Sequence, residues 1–177
     1  KNLTKLVTKA WCEQFYYKPR ITFKDLFEHQ EGLIVLSGCL SSPVMEILKG
    51  DSGFEMDLAE DNLELFKKNI EDFYIEFQPI GFEEGKFVYE KLIKLYNERL
   101  KEKGFKAVVT NDCHYVKKEQ SKLQEILLCI QTRDTIDNPK HWKFDQDDFY
   151  LKSREEMEQS LKQCFPEEDF TDALDAT

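Results

Sequence analysis

The sequence predicts an α/β fold in which parallel strands alternate with helices. Three observations lead there. Two short apolar runs rich in β-branched residues, 32–37 (GLIVLS) and 105–109 (FKAVV), have the composition of buried parallel strands. Between them, residues 72–78 (DFYIEFQ) alternate apolar and polar side chains, as a third strand would. Stretches of helical periodicity separate the three runs, which is the pattern of successive β-α units.

Composition sets the limits. With 177 residues, 41% hydrophobic and 13% aromatic, the chain can bury a core and is not a disordered segment. It carries no strong linker, repeat or low-complexity segment, so residues 1–177 read as a single domain. The formal charge of -10 has the wrong sign for a chain that grips a nucleic-acid backbone unaided; it suits solubility, cations or a basic partner. Five cysteines without a C-x-x-C pair exclude a zinc ribbon and a disulfide framework, and fit a reducing cytoplasm. No apolar run approaches a membrane span, so no membrane partner is expected. The chain opens on Lys1 and closes within an expected helix, and reads as a piece of a longer protein.

Taken in order, Leu3, Leu6, Val7, Ala10, Trp11 and Phe15 recur at helical spacing and predict a helix over 2–15, closed by Pro19. The stretch 16–20 (YYKPR) sets Lys18 and Arg20 beside two phenols. Two readings stand for it: a phosphate or DNA contact, or a solvated loop whose stems pack on tyrosine. Thr22 and Asp25 have capping-box spacing for a short helix through Glu28. After the strand at 32–37, Ser42 and Pro43 read as N-cap and first helical residue of a helix to about Lys49. A turn at 50–53 leads to a helix over 58–70 with Leu58, Leu63, Phe66 and Ile70 inward. The strand at 72–78 puts Phe73, Ile75 and Phe77 on one face and Tyr74, Glu76 and Gln78 on the other, by default exposed, with a polar site as the alternative for Glu76. Val88, Leu92, Leu95, Tyr96 and Leu100 stripe a long helix that Gly104 ends. Beyond the strand at 105–109, Leu123, Ile126, Leu127 and Ile130 mark a helix ending near Thr132. Residues 133–147 lack periodicity, 149–152 (FYLK) read as a short edge strand, and Ser153 with Glu156 caps a helix to about Cys164. The acidic end carries Phe170 and Leu174, whose packing partner is expected outside the chain.

Chemistry concentrates at the strand tips. In AVVTNDCHY, residues 107–115, Asp112 and His114 leave the third apolar run two residues apart. In extended backbone such residues project to one side, which offers an oxygen and a nitrogen to one metal ion. The alternative is that Asp112 caps a turn and His114 lies on the surface. Cys39 follows another strand tip directly. Ligands gather at the carboxyl ends of parallel strands, so Cys39, Asp112 and His114 can converge on zinc with a position left open. Alone, Cys39 is a buried thiol. His29 precedes its strand, and His141 lies in the irregular stretch. No G-x-S-x-G, P-loop or H-E-x-x-H occurs.

Five ordered blocks, YYKPRI (16–21), EGLIVLSGCL (31–40), TNDCHY (110–115), LLCIQT (127–132) and FYLKS (149–153), together resemble the later part of a known domain. It is the PHP (polymerase and histidinol phosphatase) domain of the bacterial replicative DNA polymerase III alpha subunit. The resemblance implies a distorted barrel of seven β-α units, a (β/α)7 PHP-type barrel here incomplete at its amino-terminal side. It implies a connection toward the polymerase palm over about 133–177. It implies metal-assisted phosphoester hydrolysis, including 3′-5′ exonuclease proofreading, at up to three ions, zinc or manganese. Cys39, Asp112 and His114 match the ligand positions. The family's opening HxH-type motif and the palm carboxylates, which use magnesium, have no counterpart in this chain, so the chain alone is expected neither to polymerise DNA nor to cleave phosphoesters. Through the parent, the implied partners are DNA, dNTPs, the sliding clamp and a proofreading exonuclease, in the cytoplasm. The alternative is a non-catalytic scaffold that supports the polymerase and docks that exonuclease. An amino-terminally incomplete barrel would expose an edge through which the chain self-associates.

Overall fold

A computed structural model of the chain describes residues 1–144 and 146–177; Asp145, inside the irregular stretch, lies outside the described residues. The fold is mixed α/β with a three-stranded sheet in the order β1-β2-β3: Ile34–Leu36, Asp72–Phe77 and Lys106–Val109. β1 runs parallel to β2, with Ile34 opposite Asp72, Val35 opposite Phe73 and Leu36 opposite Tyr74. The described residues fall into two compact units, one of residues 1–77 and 82–108, the other of 78–81 and 109–177. No described helix is long and apolar enough to cross a membrane.

The first unit starts with α1 (Asn2–Cys12), which buries Leu6 and Ala10. It is shorter than its periodicity predicts. The reason lies in residues 16–18, where Tyr16 and Lys18 exchange backbone hydrogen bonds at 3.2 and 2.7 Å as an antiparallel bridge. That pairing withdraws their amides and carbonyls from the helix ladder well before Pro19. Helix α2 (Phe23–Glu28) has the expected capping box. Its Asp25 carboxylate is buried and accepts from Lys9 Nζ, from Gln14 Nε2 at 3.0 Å, and from the Thr22 amide and hydroxyl at 2.9 and 2.6 Å. Four donors, Lys9 first, hold this carboxyl far below the usual range.

After β1, Gly38 turns the chain at φ +88, and a Cβ there would lie 2.9 Å from the Ser42 Cβ. Ser42 then caps α3 (Pro43–Leu48). Glu55 opens α4 (Glu55–Asn69) and closes the preceding turn by accepting from the Ser52 amide and, at 2.9 Å, the Gly53 amide. The buried face of α4 is Glu55, Ala59, Leu63 and Phe66. Leu58, expected inward, is 53% exposed, because Ala59 holds the core position one step further round. β2 buries Phe73, Ile75 and Phe77 as its alternation requires, and also Glu76, which the same alternation had left exposed; Gln78, just past the strand, is buried as well. Helix α5 (Glu83–Leu95) runs on through a π turn (Tyr96–Leu100), and Gly104 ends it at φ +72. The core packs Met45, Leu48, Leu63, Ile75, Leu92 and Leu100 out of solvent. A ring cluster adds Phe66 on Phe73, centroids 5.5 Å apart, with Phe23 edge-on to Phe66 at 5.0 Å.

The second unit contains α6 (Ser121–Thr132), α7 (Arg154–Cys164) and α8 (Thr171–Asp175). Its core is Leu128, Cys129, Met157, Leu161, Phe165, Phe170 and Ala173. Phe170, expected to need an outside partner, is buried with its ring 6.0 Å from Phe165. Of the edge strand expected at 149–152, a single parallel bridge exists, Tyr115 to Tyr150. The stripe that marks α6 faces solvent instead of the core: Leu123, Ile126, Leu127 and Ile130 are 41–69% exposed.

Candidate metal-binding loop

The loop 110–115 leaves β3 directly. Its Cys113 amide donates to Asn111 O at 2.9 Å, and this tight turn brings residues 112 and 114 to one side. His114 Nε2 lies 3.2 Å from Asp112 Oδ2, both half-exposed. The structure therefore brings together two of the three residues expected as ligands. Their donor atoms, one carboxylate oxygen and one imidazole nitrogen, are those that zinc and manganese accept, and fit such an ion as part of a larger ligand set. Among the described residues, no group of three His, Cys, Asp or Glu side chains gathers as a metal site. Cys39 lies in the first unit, exposed, where its carbonyl accepts from the Ser42 amide at 2.8 Å.

The pair is held by a segment whose role the sequence did not disclose. Residues 148–150 run beside the loop. Phe149 O accepts from the His114 amide at 2.8 Å and the Tyr115 amide at 3.2 Å. Asn111 Nδ2 donates to Asp148 O at 3.0 Å and Tyr150 O at 2.7 Å. The His114 ring packs against both Phe144 and Phe149, with centroids 4.7 and 5.6 Å away, and those two rings meet each other at 4.5 Å. Lys152, its side chain 1% exposed, donates to Asp148 O at 2.7 Å. Burial pushes its ammonium down, and Asp148 pulls the other way. Burial, and then the bond to Glu156, push the Tyr150 phenol up to about 12.

His141, judged unpromising from its irregular context, is tightly engaged. Its Nδ1 lies 2.6 Å from Asn138 O and its Nε2 2.7 Å from Glu125 Oε1, with the side chain 7% exposed. The Asn138 carbonyl first, then the Glu125 carboxylate, raise its pKa. An acid sixteen residues upstream left no spacing signal.

Lys18 and Arg20 occupy the exposed turn after α1. Arg20 stacks over the Tyr16 ring at 5.5 Å, as the tyrosine-packed reading expects of a cation there.

Comparison with known proteins now adds to this geometry. The PHP domain family matches residues 1–79, a span that includes Cys39 and stops before Asp112 and His114. Residues 1–79 of the chain carry a PHP domain. Nearly all of it is also similar to one kind of protein. It is 39% identical over 168 residues to the DNA polymerase III subunit alpha of Thermus aquaticus, covering 93% of this chain and 13% of that protein. The Treponema pallidum subunit is 41% identical over 161 residues (90% and 13%), and the Deinococcus radiodurans subunit 40% over 164 (91% and 12%). The chain thus spans about an eighth of the length of the curated relatives it matches.

Proposed function

We propose that this PHP chain is part of a bacterial DNA polymerase III alpha subunit and contributes Asp112 and His114 to a divalent-metal site that hydrolyses phosphoesters, in the manner of a 3′-5′ proofreading exonuclease. The observation that carries the reading is the Asp112–His114 pair, 3.2 Å apart on the loop that leaves β3. Similarity to three alpha subunits at 39–41% identity supports it. Cys39 enters as a further ligand through the resemblance of its SGCL block alone. The complete (β/α)7 barrel belongs to the same proposal, as do DNA, dNTPs, the sliding clamp and a proofreading exonuclease as partners, and a cytoplasmic location.

When bound, the ion, zinc or manganese, would supply Lewis-acid stabilisation of charge developing on the phosphate oxygens. The residues present do the rest. Asp112 Oδ2 and His114 Nε2 offer donors from one side of the loop. Phe144 and Phe149 fix the plane of the imidazole. Asn111 ties the loop to residues 148 and 150. A second reading, a non-catalytic scaffold, draws on the exposed apolar face of α6, which is shaped for contact and carries no catalytic group.

Metal analysis of the purified full-length subunit tests the proposal. Asp112→Asn combined with His114→Ala should abolish the bound metal that the wild type retains, and phosphoesterase activity with it. Equal zinc and manganese in both proteins would rule the metal reading out and leave the scaffold.

A further inference from the structure

The turn 16–20 carries chemistry the metal reading does not use. Tyr17 sits at its tip with φ +58, one of two described non-glycine residues with positive φ, the other being Arg133. A bulky aromatic residue is an outlier there, and such strain persists only where the surroundings impose it. Here the Tyr16–Lys18 bridge imposes it, and the result is a ring 83% exposed. The Tyr16 ring, 64% exposed, meets it edge-on with centroids 4.6 Å apart. A purely solvated turn would be served better by Gly or Asn, which accept this backbone without strain.

Beside the two rings stand Lys18 and Arg20, both exposed, and neither is in an ion pair among the described residues. The contrast with their neighbours is instructive: Lys9 is held by Asp25, and Lys24 lies 3.8 Å from Glu28. In a chain of net charge -10, two cations free of carboxylates mark a local reversal of sign. Arg20 and Pro19 also line a groove of about 470 Å³ with Trp11, whose ring stacks on Phe15 at 5.6 Å. Arg20 lies over the Tyr16 ring at 5.5 Å, so Tyr17 is the ring left most open; an exposed ring beside two cations that make no ion pair among the described residues matches the two repeating features of a single strand, base and phosphate. A duplex offers no free base face to Tyr17, and an acidic peptide would use the cations but leave the rings without a partner.

We propose that the Tyr16–Arg20 turn is a contact for single-stranded DNA, in which Tyr17 stacks on an unpaired base while Lys18 and Arg20 take the flanking phosphates. The choice of DNA over RNA rests on the polymerase reading above; the stacking and phosphate chemistry stands without it.

The test is fluorescence anisotropy of the 177-residue chain with labelled oligothymidylate, oligouridylate and a DNA duplex. EDTA is present, so the Asp112/His114 pair plays no part. Tyr17→Gly removes the ring while accepting positive φ, so the fold is kept and thermal melting should not fall. It should weaken oligothymidylate binding about 5- to 160-fold, the range expected for one lost stacked base, with Tyr17→Trp restoring it. Lys18→Gln and Arg20→Gln should each flatten the plot of log affinity against log salt by about 0.7. Asp112→Asn with His114→Ala should leave binding unchanged, so failure of the metal reading would not be mistaken for failure here. Equal affinities for wild type and Tyr17→Gly, or no binding to oligothymidylate by the wild type, would overturn the proposal. A preference for the duplex would do the same, and tighter binding to oligouridylate would overturn the assignment to DNA.

Discussion

Replacing Asn111 by alanine tests whether the loop bearing Asp112 and His114 is held from the 148–150 segment. The Asn111 amide makes two hydrogen bonds there, to Asp148 O at 3.0 Å and Tyr150 O at 2.7 Å. Each such bond contributes about 1 kcal/mol net, so their loss sets an expected destabilisation of about 2 kcal/mol. A larger figure would follow if both carbonyls were left buried and alone. They are not: Asp148 O keeps the Lys152 ammonium at 2.7 Å, and Tyr150 O keeps the weaker Cys113 thiol at 3.5 Å. At about 2–4 °C per kcal/mol for a chain of this size, the melting temperature should fall by about 4–8 °C. Trp142 fluorescence reports on the second unit once the other tryptophan is removed by Trp11→Phe, so urea unfolding can be followed locally. The same change should lower zinc affinity in the full-length subunit about 10- to 100-fold, the usual effect of losing an outer partner of a metal ligand. Asn111→Asp, which puts acceptors against acceptors, should do worse on both counts. Unchanged unfolding and unchanged zinc affinity in Asn111→Ala would refute the idea that residues 148–150 position the pair.

Two titrations should act with opposite sign. Glu55 is lowered to about 2 by its own amide, then by the Ser52 hydroxyl and the amides of Ser52 and Gly53. The stability it adds is full above its unfolded value, about 4.3, and is lost as pH falls toward 2; melting curves of Glu55→Gln should be flatter than wild type over that range. His141 is raised above its ordinary value by the Asn138 carbonyl and Glu125. Its contribution is full below about pH 6.5 and fades as pH rises through the folded value; an NMR titration of the ring should show that value falling back in Glu125→Gln. Burial separates two leucines that periodicity treats alike: Leu92→Ala, fully buried in α5, should cost about 2–5 kcal/mol, whereas Leu123→Ala, 57% exposed on α6, should stay within about 0.5 kcal/mol by chemical denaturation.

Features written in neighbouring residues were legible before any coordinates. Both capping boxes, Thr22 with Asp25 and Ser153 with Glu156, form as their spacing requires, and Ser42–Pro43 starts α3. The three strands lie within the runs that composition marks, and Gly104 ends the long helix. The pairing of Asp112 with His114 was equally local, a consequence of two side chains leaving one side of a short loop. The reading missed for two different reasons. Ala59, four residues before Leu63 and seven before Phe66, shares their face, whereas Leu58 lies a step off it, so the better spacing prevailed over the larger side chain. His141 depends on Glu125, and nothing in the intervening sequence announces the partner.

The exposed face of α6 shows the limit of periodicity most directly. The spacing of Leu123, Ile126, Leu127 and Ile130 establishes that one side of the helix is apolar. It carries no information on what covers that side, and the core of the second unit takes Leu128 and Cys129 from α6 instead. The loop at 110–115 has the complementary property. Its chemistry is local, but its rigidity comes from Phe149 O, Asp148 O and Tyr150 O, all more than thirty residues away. A substitution in the 148–152 segment should therefore disturb Asp112 and His114 without touching either, and one in the loop backbone should loosen 148–152 in return. That reciprocity makes the two stretches one physical unit, and it explains why TNDCHY and FYLKS gain meaning only when taken together.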